Sequence, residues 1–249
     1  MNDTHSKAAE RLDIHNSEIP EVCRSCEARH GGICAALQPG QLLSLSKASS
    51  RHRVESGAEL VGDAETVDHY SNVLSGVIKL TKTLSDGRQQ IVGLQFAPDF
   101  VGRPFRQESA LNAEAATDVS ICSFPKAALE RMMKESAGLE HRLLQQTLEE
   151  LDEARDWMVT LGRKSAAEKV ASLLLLIARN IDPNKDPAAG SAEFDLPLSR
   201  ADIADYLGLT IETVSRQLTK LRSDDVIDIR NNRHITVASL ARLEARSGA

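Results

Sequence analysis

Four cysteines are the side chains of this 249-residue sequence best suited to hold metal or to respond to oxidation. Cys23-Arg24-Ser25-Cys26 is followed by Cys34, giving Cys-x2-Cys-x7-Cys, and Cys122 lies far downstream on an expected strand. Three close thiols and one remote suffice for a four-iron cluster or a zinc ion, although zinc more often uses two paired knuckles. A zinc site, a thiol redox switch and an unmetallated set all stay open from spacing alone. Gly31-Gly32 would let backbone approach a cluster. His30, inside the x7 interval, is a poor substitute ligand, because a lone His in a polar loop is usually solvated. The stretch is too short to fold by itself, so ligation would fold it onto the strand that carries Cys122.

A second constellation lies near the other end, in a helix-turn-helix expected from about Ser199 to Leu221. Ser199 and Asp202 form a variant capping box. Ile203, Ala204 and Leu207 face inward, and Gly208 sits where the turn needs a positive φ. Thr210 caps the next helix, whose Val214 and Leu218 bury one face and leave Ile211, Glu212, Ser215 and Arg216 on the other. That chemistry suits a major groove: Arg216 can fork onto guanine, Glu212 can accept from a cytosine amino group or orient Arg216, and Ser215 can meet a neighbouring base. Lys220, Arg222 and Arg200 are assigned to phosphates. Val226 to Ile229 and His234 to Val237 pair around Arg230-Asn231-Asn232-Arg233 as a wing with a basic tip.

The elements that position these groups follow from periodicity. From about Leu42 to Phe124 the chain reads as short strands: Glu59 to Val61, Ser71 to Thr83, a hairpin turn at Asp86-Gly87, Gln89 to Phe96, and an alternating run from Glu114 to Phe124. A small β sandwich or barrel results. From Gly138 to about Gly162 a long helix carries Leu144, Thr147, Leu151, Ala154, Met158 and Leu161 at 3-4 spacing. Periodicity alone leaves open that the stripe packs on its own domain. Its place before a helix-turn-helix favours a dimer seam, since site-specific helix-turn-helix proteins commonly bind as two-fold dimers. Acids such as Asp156 oppose association. A further helix, Ser165 to Asn180, is buried. The Pro-, Gly- and Asp-rich stretch from Asp182 to Ser191 reads as a surface loop.

Composition narrows the function. With 41% hydrophobic and 3% aromatic residues the core is aliphatic, and no base-stacking surface of the kind RNA readers use is evident. A formal net charge of -6 argues against non-specific coating of nucleic acid, so any DNA contact is local. Residues 1–20 contain no apolar run that could serve as a signal core, and the longest apolar run, Val170 to Ala178, is too short to span a membrane. A cytoplasmic protein is expected, with no membrane partner. The chain has no phosphate loop, no paired catalytic carboxylates and no nucleophile with a matched base, so an enzyme, including an iron-sulfur redox enzyme, is disfavoured.

Together CRSCEARHGGIC, DGRQQIVGL, DFVGRP, EARDWMVTLGRKSAAEKVASLL and ADIADYLGLTIETVSRQL resemble the Crp/Fnr regulator family. The likeness is strongest to the Fnr branch, most of all its alphaproteobacterial members. The resemblance implies an α+β protein with a β jelly-roll sensor domain, a long dimerisation helix and a C-terminal winged helix-turn-helix. It implies an oxygen-labile [4Fe-4S] cluster on Cys23, Cys26, Cys34 and Cys122 that permits homodimerisation and DNA binding when oxygen is low. It also implies a double-stranded site similar to TTGAT-N4-ATCAA, read by Glu212, Ser215 and Arg216, and contact with RNA polymerase through Ser85 to Arg88. Gly102-Arg103-Pro104 and Asn112-Ala113 depart from the pattern that grips cyclic nucleotide, so none is expected. The partition is a flexible tail (1–20), a cysteine-rich segment (21–46), the jelly roll (47–135), the dimerisation helix (136–163) and the winged helix domain (164–249).

Overall fold

The computed structural model describes residues 19–184 and 189–248. The expected tail lies outside the described residues as far as residue 18, and so do residues 185–188 of the Asp182 to Ser191 loop. Two single-turn helices, α1 (Glu21–Arg24) and α2 (Glu27–His30), precede a 3-10 turn at Ile33–Ala36 and helix α3 (Pro39–Ala48). Leu42, expected at the start of the β region, instead lies buried in α3, which Pro39 at its first turn favours.

Eight strands follow: β1 (Ser50–Val54), β2 (Glu59–Val61), β3 (His69–Ser75), β4 (Ile78–Thr83), β5 (Gln89–Gln95), β6 (Phe100–Val101), β7 (Asn112–Ala115) and β8 (Val119–Pro125). They form two four-stranded sheets, ordered β1-β8-β3-β6 and β2-β7-β4-β5, with antiparallel pairing throughout. This is the expected jelly roll. Val73, Ile78, Ala113, Ala115, Val119 and Ile121 fill its interior. Two runs read as single strands are broken. Ser71 to Thr83 turns at Gly76, whose φ of +85 and close approach to the Asp118 carbonyl leave no room for a Cβ. Glu114 to Phe124 breaks at Ala116–Asp118, because Ala116 and Thr117 bond across to Val77 instead of continuing the ladder.

Helix α4 (Lys126–Glu135) leads to the long α5 (Ala137–Arg163) and to α6 (Ala166–Asn180), which Ser165 and Glu168 start with a reciprocal capping box. Strand β9 (Ala192–Asp195), helices α7 (Arg200–Leu207) and α8 (Ile211–Ser223), strands β10 (Asp228–Arg230) and β11 (His234–Val237), and helix α9 (Leu240–Arg246) complete the chain. The wing is a three-stranded sheet ordered β10-β11-β9. Sequence reading missed β9, because its pairing partner β11 comes some forty residues later.

Apolar packing ties the parts together. Ile33 and Leu37 of the cysteine segment share a buried cluster with Tyr70 and Phe124 of the sandwich and Leu139 and Leu143 of α5. Val77, Ile91 and Phe96 of the sandwich share another with the helix-turn-helix. Among the described residues no helix is long and apolar enough to cross a membrane.

Candidate thiol cavity and DNA-reading face

The structure brings all four cysteines to one small cavity, which Cys23, Cys26, Cys34 and Cys122 line together with Arg51 and Asn72. Strand β8 alternates, so Val119 and Ile121 point into the sandwich while Cys122 points out toward the cysteine segment. Its register neighbours are Arg51 on β1 and Asn72 on β3. Asn72 is buried and donates through Nδ2 to Cys34 Sγ at 3.4 Å, and its buried Oδ1 finds no partner among the described residues. The Arg51 guanidinium reaches the Val22 carbonyl and so ties α1 to the sheet.

Burial pushes the Cys34 thiol up to about 12, and the neighbouring Cys26, Cys122 and Cys23 push it the same way, while the Asn72 hydrogen bond opposes them. Cys23 and Cys122 are also raised, first by burial. Cys23, Cys34 and Cys122 are therefore held as thiols at neutral pH. Among the described residues no group of three or more His, Cys, Asp or Glu is drawn together as a metal-ion site. His30 faces elsewhere, with Nε2 3.2 Å from the Arg24 carbonyl. The reading of Gly31-Gly32 needs correction: a Cβ on Gly32 would meet Ala28 and Pro98 backbone oxygens at 2.9 Å, and one on Gly31 would meet the Pro98 ring. The glycines fit the segment against the β5–β6 loop rather than against the thiols.

At the other end the helix-turn-helix forms as its residues predict. Ser199 accepts from Asp202 N–H at 3.0 Å, Asp202 reaches back to Ser199 N–H at 3.0 Å, and Gly208 takes φ +61. Thr210 caps α8 by accepting from Thr213 N–H at 3.2 Å. Val214 and Leu218 are buried, and Ile211, Glu212, Ser215, Arg216 and Lys220 are exposed. In this structure Glu212 and Arg216 are held by different neighbours. A hydrogen bond with its own N–H, then one with Thr210, holds the Glu212 carboxyl below the usual range. Arg216 Nη2 instead donates to Thr213 Oγ1 at 3.5 Å, a contact that sequence reading missed. Arg200, assigned to phosphate, donates to the Asn232 carbonyl at 3.0 Å and fixes the wing tip.

Residues 168–246 match the Crp-like helix-turn-helix domain, and residues 51–136 match the cyclic nucleotide-binding domain. A probable transcriptional activator of Rhizobium leguminosarum bv. viciae is 56% identical over 238 residues, 94% of this chain and 98% of that protein. The transcriptional activator protein FnrL of Cereibacter sphaeroides is 42% identical over 235 residues, 93% of this chain and 95% of that protein. The solved structure of FixK2 from Bradyrhizobium japonicum superposes with a TM-score of 0.72 at 33% identity, covering 81% of this chain and 98% of that one. The chain belongs to the Crp/Fnr family.

A Crp/Fnr chain is a transcription regulator and not an enzyme, and DNA is what its helix-turn-helix binds. Two further features of this Crp/Fnr chain bear on its partners. Along α5, Leu144 and Met158 are 56% and 72% exposed, and Leu148, Leu151 and Val159 are exposed as well. Thr147 and Ala154 flank this stripe, and Leu161 is half-buried. Sequence reading missed Leu148, although steps of four and three from Leu144 give Leu148, Leu151, Arg155 and Met158. An open cavity of about 670 Å3 on the sandwich is lined by exposed Glu59, Glu65, Asp68, Glu108 and Glu150, with Arg103, His52 and His69 also along it.

Proposed function

We propose that this regulator responds to oxygen through a [4Fe-4S] cluster held by Cys23, Cys26, Cys34 and Cys122, and binds DNA as a homodimer when oxygen is low. The observation that carries the reading is the meeting of four thiols, three from one short segment and one from β8, at a single cavity walled by Leu42, Leu45 and Ser46 of α3. The donor set fits: it is all sulfur, and the Asn72 amide already donates to one of the sulfurs, a bond that strengthens as thiol becomes thiolate. When bound, such a group supplies an iron-sulfide core that oxygen degrades. Ligation requires the raised thiols to lose their protons, so loading is favoured as pH rises.

The rest of the reading concerns this chain's own residues. The ligated segment seats Ile33 and Leu37 on Leu139 and Leu143, which steadies the first turns of α5. A second copy then covers Leu144, Leu148, Leu151 and Met158, while Asp156 opposes association. In that dimer Glu212, Ser215 and Arg216 read the two halves of a site similar to TTGAT-N4-ATCAA, with Lys220 and Arg222 on phosphates. The exposed turn at Ser85 to Arg88, stiffened by an Asp86–Arg88 ion pair at 2.8 Å, is the surface offered to RNA polymerase. The carboxylate-rich cavity of the sandwich disfavours an anionic cyclic nucleotide. The chain works in the cytoplasm, where its DNA is.

The test is anaerobic purification, with iron, sulfide, dimer fraction and operator affinity measured before and after air. A brown dimer that loses colour, partner and affinity together is expected. A colourless anaerobic sample with stoichiometric zinc would overturn the cofactor, and a DNA affinity indifferent to air would overturn oxygen sensing.

A further inference from the structure

The helix-turn-helix does not hang free of the sandwich. Lys79 on β4 is only 15% exposed at its side chain, and its Nζ lies 2.8 Å from Asp202 Oδ1 and 2.9 Å from Glu114 Oε1. Asp202 divides its oxygens: Oδ2 serves the Ser199 cap of α7, and Oδ1 serves Lys79. Farther along α7, Gln90 on β5 donates to the Tyr206 carbonyl at 3.1 Å, and the Trp157 ring of α5 packs on Tyr206 with centroids 4.6 Å apart. The β4–β5 hairpin thus holds both ends of the first helix of the DNA-reading pair.

This grip has a consequence for the reading face. Ser215 and Thr219 of α8 and Asn232 of the wing line one wall of a cleft of about 730 Å3, and Ser56, Gly57 and Glu114 line the opposite wall. A helix that enters a major groove about 12 Å wide must have phosphate strands pass on both sides of it. Here one of those paths is narrowed to the cleft, with the sandwich as its far wall. The obstruction is one of bulk rather than charge, because Glu114 is neutralised by Lys79 and the cleft is also lined by Arg200, Arg222 and Arg233.

We propose that Lys79 is a positioning residue that holds the DNA-reading unit shut against the sandwich, so that Ser215 reaches base edges only when Lys79 releases Asp202. This rests on the DNA-binding reading above. Charge makes the latch selective: with Lys79 in place, Asp202 and Glu114 share one cation across the domain boundary, and without it two carboxylates face each other. Release leaves the α7 cap intact, because the cap uses the other oxygen of Asp202.

The experiment compares the full chain with Lys79→Met, Lys79→Arg and Gln90→Ala, all purified anaerobically. Small-angle scattering reads domain separation without DNA, and titration of a duplex bearing TTGAT-N4-ATCAA reads affinity before and after air. Lys79→Met is expected to expand the protein and, by enlarging the competent fraction, to tighten binding by about tenfold, most of all after air. Gln90→Ala should move both readouts the same way by less, and Lys79→Arg should resemble the parent. Unchanged or weaker binding by both Lys79→Met and Gln90→Ala overturns the latch, as does tighter binding without expansion. Failure of the parent itself to bind the duplex would refute the operator reading instead, and the scattering comparison would then decide the latch alone.

Discussion

Arg142 of the long helix donates to the Gly32 carbonyl at 3.5 Å, and its other arm reaches the Gly31 carbonyl. Both acceptors lie in the seven-residue interval between Cys26 and Cys34. One side chain therefore joins the thiol-bearing segment to the helix that carries the exposed apolar stripe. Replacing Arg142 by Met removes both bonds while leaving every thiol in place. Under the proposed reading the anaerobic variant should keep its iron content and lose a large part of its dimer, since a charge-assisted bond is worth roughly 1.5 to 3 kcal/mol before solvent screening. Sedimentation beside an iron assay checks this, and an unaltered dimer fraction would show that the segment and α5 communicate by another route.

Arg216→Ala tests base reading. The guanidinium is exposed and, among the described residues, held by exposed Thr213 Oγ1, so its removal disturbs no buried group. Binding should weaken by roughly 1 to 3 kcal/mol on the preferred duplex, with relaxed discrimination at one base pair per half-site. Competition among duplexes substituted at each position gives the answer, and an unchanged preference at every position would remove Arg216 from the reading set.

The stripe on α5 makes opposite predictions for two residues. Leu151→Glu should give a stably folded monomer with poor operator affinity, because a charge takes an exposed apolar position that only a partner would cover. Asp156→Ala should raise the dimer fraction under air. Sedimentation equilibrium reports both. A dimeric Leu151→Glu protein would place the seam elsewhere, and an unaltered Asp156→Ala protein would acquit Asp156.

Acids beneath the same helix predict a pH dependence. Desolvation of the carboxyl where it faces the β5–β6 loop, followed by the charges of Asp99 and Glu153, pushes Glu150 from an ordinary 4.5 to about 7. Burial likewise pushes Asp99 up to about 6. Across these windows the folded chain binds more protons than the unfolded one, so stability falls as pH rises through them. Glu150→Gln should therefore be more stable than the parent near about pH 8 and should lose that advantage near about pH 4, below the ordinary carboxylate value. Urea denaturation at several pH values measures the gap, and a gap that is constant with pH would refute the assignment.

Local chemistry explains which parts were legible in the sequence. The Ser199 cap, the Gly208 turn and the Val214–Leu218 face lie within a few residues of the structure they specify, so spacing alone located α7 and α8. Strand β9 and the turn at Gly76 depend on partners distant in sequence: β9 on β11, and Gly76 on the Asp118 backbone. The same holds for the Lys79–Asp202 pair, whose members are 123 residues apart. Spacing brought Cys23, Cys26 and Cys34 together. It could not show that β8 aims Cys122 at them, because alternation fixes a strand's two faces without saying what covers each. Gly31 and Gly32 were misread for a related reason: what they accommodate is the loop around Pro98, which periodicity does not reveal.

Ile33, one residue before Cys34, is buried against the same cluster as Leu139. The free energy that seats the thiol-bearing segment is thus the free energy that covers a helix. If oxygen is read by whether that segment stays docked, its threshold becomes a tunable set point. Ile33→Val removes one methylene at a cost of about 0.5 to 1.5 kcal/mol, a several-fold change in a docking equilibrium. Under the proposed reading, ordinary aliphatic drift retunes that set point in descendants that keep every thiol.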